Sequence, residues 1–339
     1  MTADIPLLAK LAPDLVAVLA LRYRILRQIQ LTQPVGRRSL AASLGMTERT
    51  LRAEVEFLRD QGLLTSSPAG MSLTGEGEAL VERLEEAVRE WLGLTELERR
   101  LTERLSIERI VVVPGDADRS PVVKREMGKV AADWLRRHVR EGDIIAVAGG
   151  TTVAAVAEML APASVFRSVR FVPARGGLGE QVELQANTIA SRMAQKTGGQ
   201  YRLLHVPDTL SEEAYQSLSA EPHIKAVLEE VRKARIVVHG IGDAFTMARR
   251  RGADMQTLER LRQAGAVAEA FGYYFDRDGR VVFTMRTLGL RIEDVARAEQ
   301  VIGIAGGASK GPAIAALAQN GVPHVLITDE GAARAILEA

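Results

Sequence analysis

The chain has 339 residues, with 44 Lys+Arg against 43 Asp+Glu, 47% hydrophobic and 4% aromatic residues, and no cysteine. That length suggests two or three domains with ample core material and excludes disorder as the main state. Zero cysteine excludes disulfides, thiolate metal sites, Fe–S clusters and cysteine nucleophiles, and fits a reducing cytoplasm.

The net charge of +1 argues against nucleic acid only if it is evenly spread, and it is not. Residues 1–70 carry a net +3, residues 71–106 a net −4, and the remainder +2. Three segments are expected: a DNA-binding domain at 1–75, a helical linker or dimerisation element at 76–106, and a ligand-binding domain at 107–339. The opening MTADIPLLAKLAPDLVAVLALRYR is apolar, but Asp4, Lys10 and Asp14 interrupt it and no small-residue cleavage site follows. It does not read as a signal peptide. No run of about 18 apolar residues suits a membrane span.

The first segment reads as short helices. In GRRSLAASLGMTERTLRAEVEFLRDQG, Ala41, Gly45 and Leu51 supply the three needs of a helix-turn-helix. These are a small residue where the helices touch, a glycine that tolerates positive φ in the turn, and an apolar anchor on the second helix. Thr47 is placed to cap that helix, and Leu51, Val55 and Leu58 recur at core-facing spacing. The opposite face carries Arg49 and Arg52, the expected base contacts, with Thr47 and Thr50 at the helix start. Arg37 and Arg38 open the preceding helix and suit phosphate contacts. LLTSSPAGMSLT then has two short apolar runs around a Ser/Pro/Gly turn, as in the hairpin of a winged helix-turn-helix. The competing reading is a small helical bundle with a solvated basic face.

One helix is expected from about Glu76 to Leu105. Leu80, Leu84, Ala87, Trp91 and Leu94 are spaced as a coiled-coil seam, resumed by Leu101 and Leu105 after Glu98. The alternative is an amphipathic helix packed on its own α/β domain, with a kink at Gly93. Helix-turn-helix proteins usually read two half-sites, so a homo-oligomer is expected.

From residue 107 on, apolar runs alternate with helical stretches: IVVV, IIAVA, VRFVPA, RIVVHG, VIGIAG and HVLIT. This is the pattern of βα units around a buried parallel sheet. Four of the runs lead into glycine-bearing loops: Ala148–Thr152, Ala174–Gly179, His239–Gly242 and Ala305–Lys310. In a parallel sheet these loops share one edge, where ligands bind. The Gly149-Gly150 turn into a helix exposes N–H groups at the positive end of the dipole, and Thr151 and Thr152 add hydroxyls, which suits an anion. Arg175, Lys310 and Arg250 are the expected charges. Gln185 and Glu269 suit sugar hydroxyls. Neither GxGxxG nor GxxxxGK[ST] occurs, which disfavours nicotinamide cofactors and ATP hydrolysis.

The blocks PVGRRSLAASLGMTERTLRAEVEFLRDQGL, VAGGTTVAAVAEM, RFVPARGGLGE, QANTIA, VHGIGDA, EAFGYYF, IAGGASK and TDEGAA resemble the SorC-type family of sugar-responsive transcriptional repressors over nearly the whole chain. The resemblance implies an α/β fold with an N-terminal winged helix-turn-helix and a C-terminal Rossmann-like, parallel-sheet sugar-phosphate-binding domain, related to sugar-phosphate isomerases. It implies control of glycolytic genes and no cofactor, the ligand being a phosphosugar effector, fructose 1,6-bisphosphate above all. The matching effector positions are Thr151, Thr152, Arg175, Gln185, Arg250, Glu269 and Lys310, assisted by the backbones of Gly149, Gly150, Gly176 and Gly177.

An isomerase-like domain also raises catalysis, and Glu269, His239, Asp243 and Asp329 are available as acids or bases. A metabolic enzyme has no evident use for a winged helix-turn-helix, however. His239 more simply satisfies a loop hydrogen bond, and Asp329 or Glu330 suits the cap of the last helix. A sensor is therefore expected rather than an enzyme. A DNA-binding architectural protein that ignores ligands does not account for the converging anion loops.

Overall fold

The structure, a computed structural model, describes residues 11–177 and 181–339. Leu178 and Gly179, at the end of the second glycine-bearing loop, lie outside the described residues, as do Asp4 and Lys10. The chain divides into two compact units, residues 1–97 and 98–339.

The first unit begins with α1 (Pro13–Thr32), one long helix where short ones were expected. Proline fits its first turn, where no N–H partner is lost, and Ile25, Leu26 and Ile29 in its second half enter the core. The helix-turn-helix follows as α2 (Arg37–Leu44) and α3 (Glu48–Asp60). Gly45 between them has φ 65° and ψ 29°, the left-handed conformation that favours glycine. The Thr50 N–H donates to Thr47 Oγ1 at 3.2 Å, which fixes the start of α3. Ala41 and Leu51 are buried between the helices.

Strands β1 (Leu64–Ser67) and β2 (Gly70–Leu73) form the expected antiparallel hairpin, paired from Leu64↔Leu73 to Ser67↔Gly70. At Gly70 a Cβ would meet the Val35 backbone at 2.8 Å, so glycine is required for the Val35–Met71 bridge that ties the wing to the segment before α2. Helix α4 (Gly75–Trp91) starts at a second threonine cap, with Thr74 Oγ1 accepting from the Gly77 N–H at 3.0 Å.

The single helix expected from 76 to 105 is broken. Leu92 ends α4, Gly93 takes φ 69°, and α5 (Leu94–Leu105) starts anew. A left-handed glycine at this point is a common helix terminator. The apolar stripe of α4 is also used differently from an intermolecular seam. Val81 and Val88 are fully buried in the core of the first unit, and Leu80, Leu84 and Trp91 pack against that core. The α4 residues assigned to a separate linker are thus part of the DNA-binding fold, and the boundary between the units falls inside α5.

In the second unit the strands and helices run β3 (Arg109–Val113), α6 (Pro121–His138), β4 (Ile144–Val147), α7 (Thr151–Met159), β5 (Arg170–Pro173), α8 (Ala186–Thr197), β6 (Gln200–Tyr201), α9 (Glu212–Ala220), α10 (Pro222–Val231) and β7 (Ile236–Gly240). They continue through β8 (Gly242–Asp243), α11 (Ala244–Arg250), α12 (Met255–Gln263), β9 (Ala268–Ala270), β10 (Tyr273–Phe275), β11 (Val281–Thr284), α13 (Ile292–Val295), β12 (Gln300–Ile304), α14 (Gly311–Gln319), β13 (Val325–Asp329) and α15 (Glu330–Glu338).

Seven strands form one parallel sheet in the order β3-β13-β12-β7-β4-β5-β6. All six apolar runs of the sequence are in it, and the two-residue β6 adds an edge. These strands lack polar alternation because helices cover both faces. Ile145, Val147, Val238, Ile302, Ile304 and Ile327 meet Met127, Ala131 and Leu135 of α6 and Val153 and Val156 of α7 in one core. Gly128 lets α6 approach α7 closely, since a Cβ there would lie 2.6 Å from the Ala155 carbonyl oxygen.

From β4 the chain winds outward through β5 and β6, while from β7 it winds the other way through β12 and β13. The β4–β7 gap is therefore a topological switch point, where open α/β sheets place their ligands. A second, antiparallel sheet, β11-β10-β9-β8, grows from the loop after β7. Its alternation is interrupted by glycines and a bulge near Phe275, and it was not recognised from the sequence.

Candidate functional site

At the switch point lies a cleft of about 860 Å³, its open mouth included. It is lined by the loop after β4, the loops after β5 and β7, the end of α11, the β9–β10 turn and Lys310. Of the expected effector residues, Gly149, Gly150, Thr151, Thr152, Arg175, Gly176, Gln185, Arg250, Glu269 and Lys310 all border it. Gly177 does not.

The glycines act mostly through close approach rather than as free donors. The Gly150 N–H donates to the Leu184 carbonyl at 2.9 Å, and at Gly149 a Cβ would sit 2.8 Å from that same oxygen. Gly176 donates to Leu288 and Gly177 to Val206, both at 3.1 Å, so these two amides do not face a ligand as expected. A Cβ on Gly176 would collide with the carbonyl oxygens of Val206 and Pro207 at 2.7 Å. What remains for an anion is the first turn of α7, whose leading N–H groups have no intrahelical acceptor, with Thr151 exposed and Thr152 buried.

The second Gly-Gly loop differs from the first although AGGAS resembles AGGTT. Gly307 donates to Asp329 Oδ2 at 2.7 Å and Ser309 to Asp118 Oδ2 at 2.8 Å. The chain's own carboxylates therefore occupy its donors. Asp329 also accepts from Ala117 and from Ala332, capping α15 as expected. Burial raises its pKa against the pull of these three N–H groups.

Arg175 was expected as a charge for the ligand, and the structure pairs it inside the protein. Its Nη2 lies 2.5 Å from Asp208 Oδ1 and its Nη1 3.2 Å from Glu269 Oε1. Arg251 closes the square, with Nε 2.9 Å from Asp208 Oδ2 and Nη2 2.9 Å from Glu269 Oε1. All four side chains are 8% exposed or less. Burial opposes the charge on Arg251, but Glu269 and Asp208 outweigh it and hold the pKa above its ordinary value. Glu269 is the converse. Burial raises its pKa, yet Arg251, Arg175 and the Gly272 N–H together bring it below the usual range.

The β9–β10 turn explains this position. Phe271 (φ 55°) and Gly272 (φ 86°) both have positive φ, as a two-residue type I′ hairpin requires. The turn places the Gly272 N–H 2.8 Å from Glu269 Oε1. Three donors thus converge on Oε1, and Oε2 has none among the described residues.

His239 is fully buried beside this turn, its ring 4.7 Å from that of Phe271. Nδ1 is 3.0 Å from the Gly240 carbonyl, the expected loop hydrogen bond, and burial lowers its pKa to about 4 against that bond. Its Nε2 and Arg175 Nε are buried without a hydrogen-bond partner. Asp243 caps α11 through the Thr246 N–H at 2.8 Å. The carboxylates considered for proton transfer are thus engaged as caps or in ion pairs.

Lys310 is the contrasting group. Its side chain has no ion-pair partner within 4 Å among the described residues. Burial lowers its pKa, Lys124 and Arg250 lower it further, and Asp118 and Asp243 oppose them.

Sequence reasoning missed Asp208 and Arg251. Arg251 was hidden in the run Arg249-Arg250-Arg251, where only the end of α11 decides which guanidinium turns inward. Asp208 sits in an irregular segment brought in by the Gly177–Pro207 bridge, and no local signal marks it.

In the first unit, Arg37, Arg38, Thr47, Arg49, Thr50 and Arg52 are all exposed on α2 and α3. Arg38 pairs with Glu48 at 3.1 Å and Arg52 with Glu56 at 3.7 Å, both solvent-exposed. Such pairs are worth about 0–1 kcal/mol and yield readily to a phosphate or base. The Thr47 and Thr50 hydroxyls are 2.8 Å apart.

Residues 18–88 match the family of the CggR N-terminal DNA binding domain, and residues 89–338 match a sugar-binding domain family. The chain is 51% identical over 329 residues to the central glycolytic genes regulator of Priestia megaterium (strain DSM 319 / IMG 1521), covering 97% of this chain and 96% of the relative. It is 49% identical over 328 residues to that of Bacillus subtilis (strain 168), with the same coverage. A solved structure from Enterococcus faecalis, described as a SorC family transcriptional regulator, is 44% identical, with a TM-score of 0.67 over 71% of this chain and 99% of that one. The full-length sorbitol operon regulator SorC from Klebsiella pneumoniae shares the fold at 21% identity, with a TM-score of 0.70 over 90% of this chain and 94% of that one. Among the described residues no helix is long and apolar enough to cross a membrane. With a DNA-binding domain, a sugar-binding domain and full-length relatives of one kind, the chain belongs to the SorC-type family of transcriptional regulators, in the group of the central glycolytic genes regulators, and is a regulator rather than an enzyme.

Proposed function

We propose that the protein represses glycolytic genes from operator DNA in the cytoplasm, as a homo-oligomer, and that a phosphosugar effector, fructose 1,6-bisphosphate foremost, releases it. The observation that carries this reading is Lys310. Its ammonium lies at a cleft bordered by the first turn of α7, with Arg250 nearby and no ion-pair partner among the described residues. A desolvated cation beside a helix N-terminus is suited to a phosphate.

The rest of the cleft suits a polyol. Glu269 Oε2 accepts from hydroxyls, Gln185 contributes an amide, and the buried Nε of Arg175 gains an acceptor. Charge neutralisation within the Arg175–Asp208–Arg251–Glu269 square makes this end suited to hydroxyls rather than to a full charge. The relatives' name, central glycolytic genes regulator, supports the target genes.

Repression is relieved by linkage. If the effector binds the operator-competent state less tightly than another conformer, it lowers operator affinity by that difference, and DNA weakens effector binding equally. The test is operator titration with and without fructose 1,6-bisphosphate. The sugar is expected to lower affinity or cooperativity, and identical isotherms across effector concentrations defeat the reading. Lys310→Met is expected to weaken effector binding by roughly 10- to 100-fold, the loss of a charged hydrogen bond, while operator affinity without sugar stays unchanged.

A further inference from the structure

Met247 of α11 lines the cleft and is the one methionine that does so among the described residues. With no cysteine in the sequence, methionine supplies all of the chain's oxidisable sulfur. The Met247 side chain is half-buried and lies against the loop after β7: a Cβ on Gly242 would collide with its Cγ and stand 3.2 Å from its Sδ. Glycine is thus needed for the thioether to seat, and backbone closes one side of the sulfur. Arg250, three residues on and so on the same face of α11, donates from Nη1 to Met247 Sδ at 3.9 Å. A thioether is a weak acceptor, so this contact competes little with a phosphate for the guanidinium.

Resting on the phosphosugar reading above, we propose that Met247 is an oxidation site within the effector cleft, whose sulfoxide holds Arg250 and lowers affinity for the phosphorylated ligand. The oxidant is a peroxide. A sulfur lone pair attacks one peroxide oxygen, and the S–O bond forms as the O–O bond breaks. The second oxygen takes the proton of the first and leaves as water, so sulfur gives up the two electrons that peroxide gains. The sulfoxide oxygen is a strong acceptor where the sulfur was a weak one. Gly242 closes one side, so the oxygen enters on the cleft side, beside the Arg250 guanidinium. There it pairs with a cation that the phosphate needs and fills space that the ligand occupies. By linkage, weaker effector binding leaves the protein on its operator at sugar concentrations that release the unoxidised form. Sulfoxide is reducible, so the change is reversible.

The test uses the full chain, titrated with fructose 1,6-bisphosphate in calorimetry before and after treatment with hydrogen peroxide, with peptide mass spectrometry to locate the added oxygen. Met255, 80% exposed on α12, marks complete reaction, while Met127 and Met193, at 0% exposure, are expected to stay unmodified. Met247 is expected to be oxidised along with Met255, and the affinity to fall by roughly tenfold, the lower end for a hydrogen bond to a charged group. Methionine sulfoxide reductase is expected to restore it. Met247→Leu, compared with itself, is expected to keep its affinity through the same treatment. An unmodified Met247 beside an oxidised Met255 overturns the proposal, as does unchanged affinity in the oxidised parent, an equal loss in Met247→Leu, or a loss that persists once the Met247 sulfoxide has been reduced. Absence of binding to the untreated protein overturns the phosphosugar reading and this proposal with it, which separates the two failures.

Discussion

Arginine has opposite roles in the two units. On α3 of the first unit, Arg49 and Arg52 are exposed, and the pair that Arg52 forms with Glu56 is loose and solvated. In the second unit, Arg175 and Arg251 lie in a buried square with Asp208 and Glu269, where each guanidinium meets two carboxylates. The same side chain is left available to an outside partner in one place and is part of the scaffold in the other. The difference is desolvation. A surface charge keeps its water and exchanges it for phosphate at little cost, whereas a buried charge persists only with its counter-ions fixed around it.

The sharpest way to break this comparison is to remove one corner of the square. Arg251→Ala leaves Asp208 and Glu269 with one guanidinium between them, and is expected to destabilise the second unit by about 3–5 kcal/mol, measured by denaturant unfolding. A change no larger than that of a surface arginine would show the square to be dispensable. The next effect is set by pH. His239 has its pKa lowered from 6.5 to about 4 by burial, so the unfolded chain binds a proton that the folded chain rejects between those values. Stability is therefore retained above about pH 6.5, falls as pH drops towards 4, and loses about 3 kcal/mol from this residue in full. Unfolding midpoints of His239→Gln should show a shallower acid slope than those of the parent, and parallel slopes would reject the assignment. The smallest effects on folding are expected on α3. Arg52→Ala should leave unfolding unchanged within about 0.5 kcal/mol and cost about 1–3 kcal/mol of discrimination between operator variants. Arg37→Ala should weaken all operators alike and make the salt dependence shallower, so exchange of these two signatures in a binding assay would reverse their roles.

Six of the seven strands of the large sheet were legible because buried parallel strands are uninterrupted apolar runs, and IVVV or VIGIAG admits few other readings. The helix-turn-helix was legible because its turn needs a glycine at a fixed distance from a small and a large apolar residue, and Gly45 takes the left-handed conformation that Ala41 and Leu51 imply. The stripe Leu80–Leu84–Trp91 was less legible, since helical spacing shows that a face is apolar but not what covers it. Here it is the core of the first unit. The two Gly-Gly loops look alike in sequence and differ in the structure because Asp116, Asp118 and Asp329, distant in the chain, are hydrogen-bonded into one of them.

By itself, the sequence determined the local and periodic features: an uneven charge distribution, a reader with capped helices, a sheet of buried strands, and glycine loops along one edge. These depend on backbone conformation and on burial repeated over a few residues, both encoded within short stretches. Only the tertiary structure decided which charges remain available. Arg175, Arg251 and Lys310 are equivalent cations in the sequence, and what separates them is the distance to Asp208 and Glu269 in one case and, among the described residues, the lack of a paired carboxylate in the other. Electrostatic energy depends on separation and desolvation rather than on order along the chain, so the near-neutral total carried no information about where an anion binds.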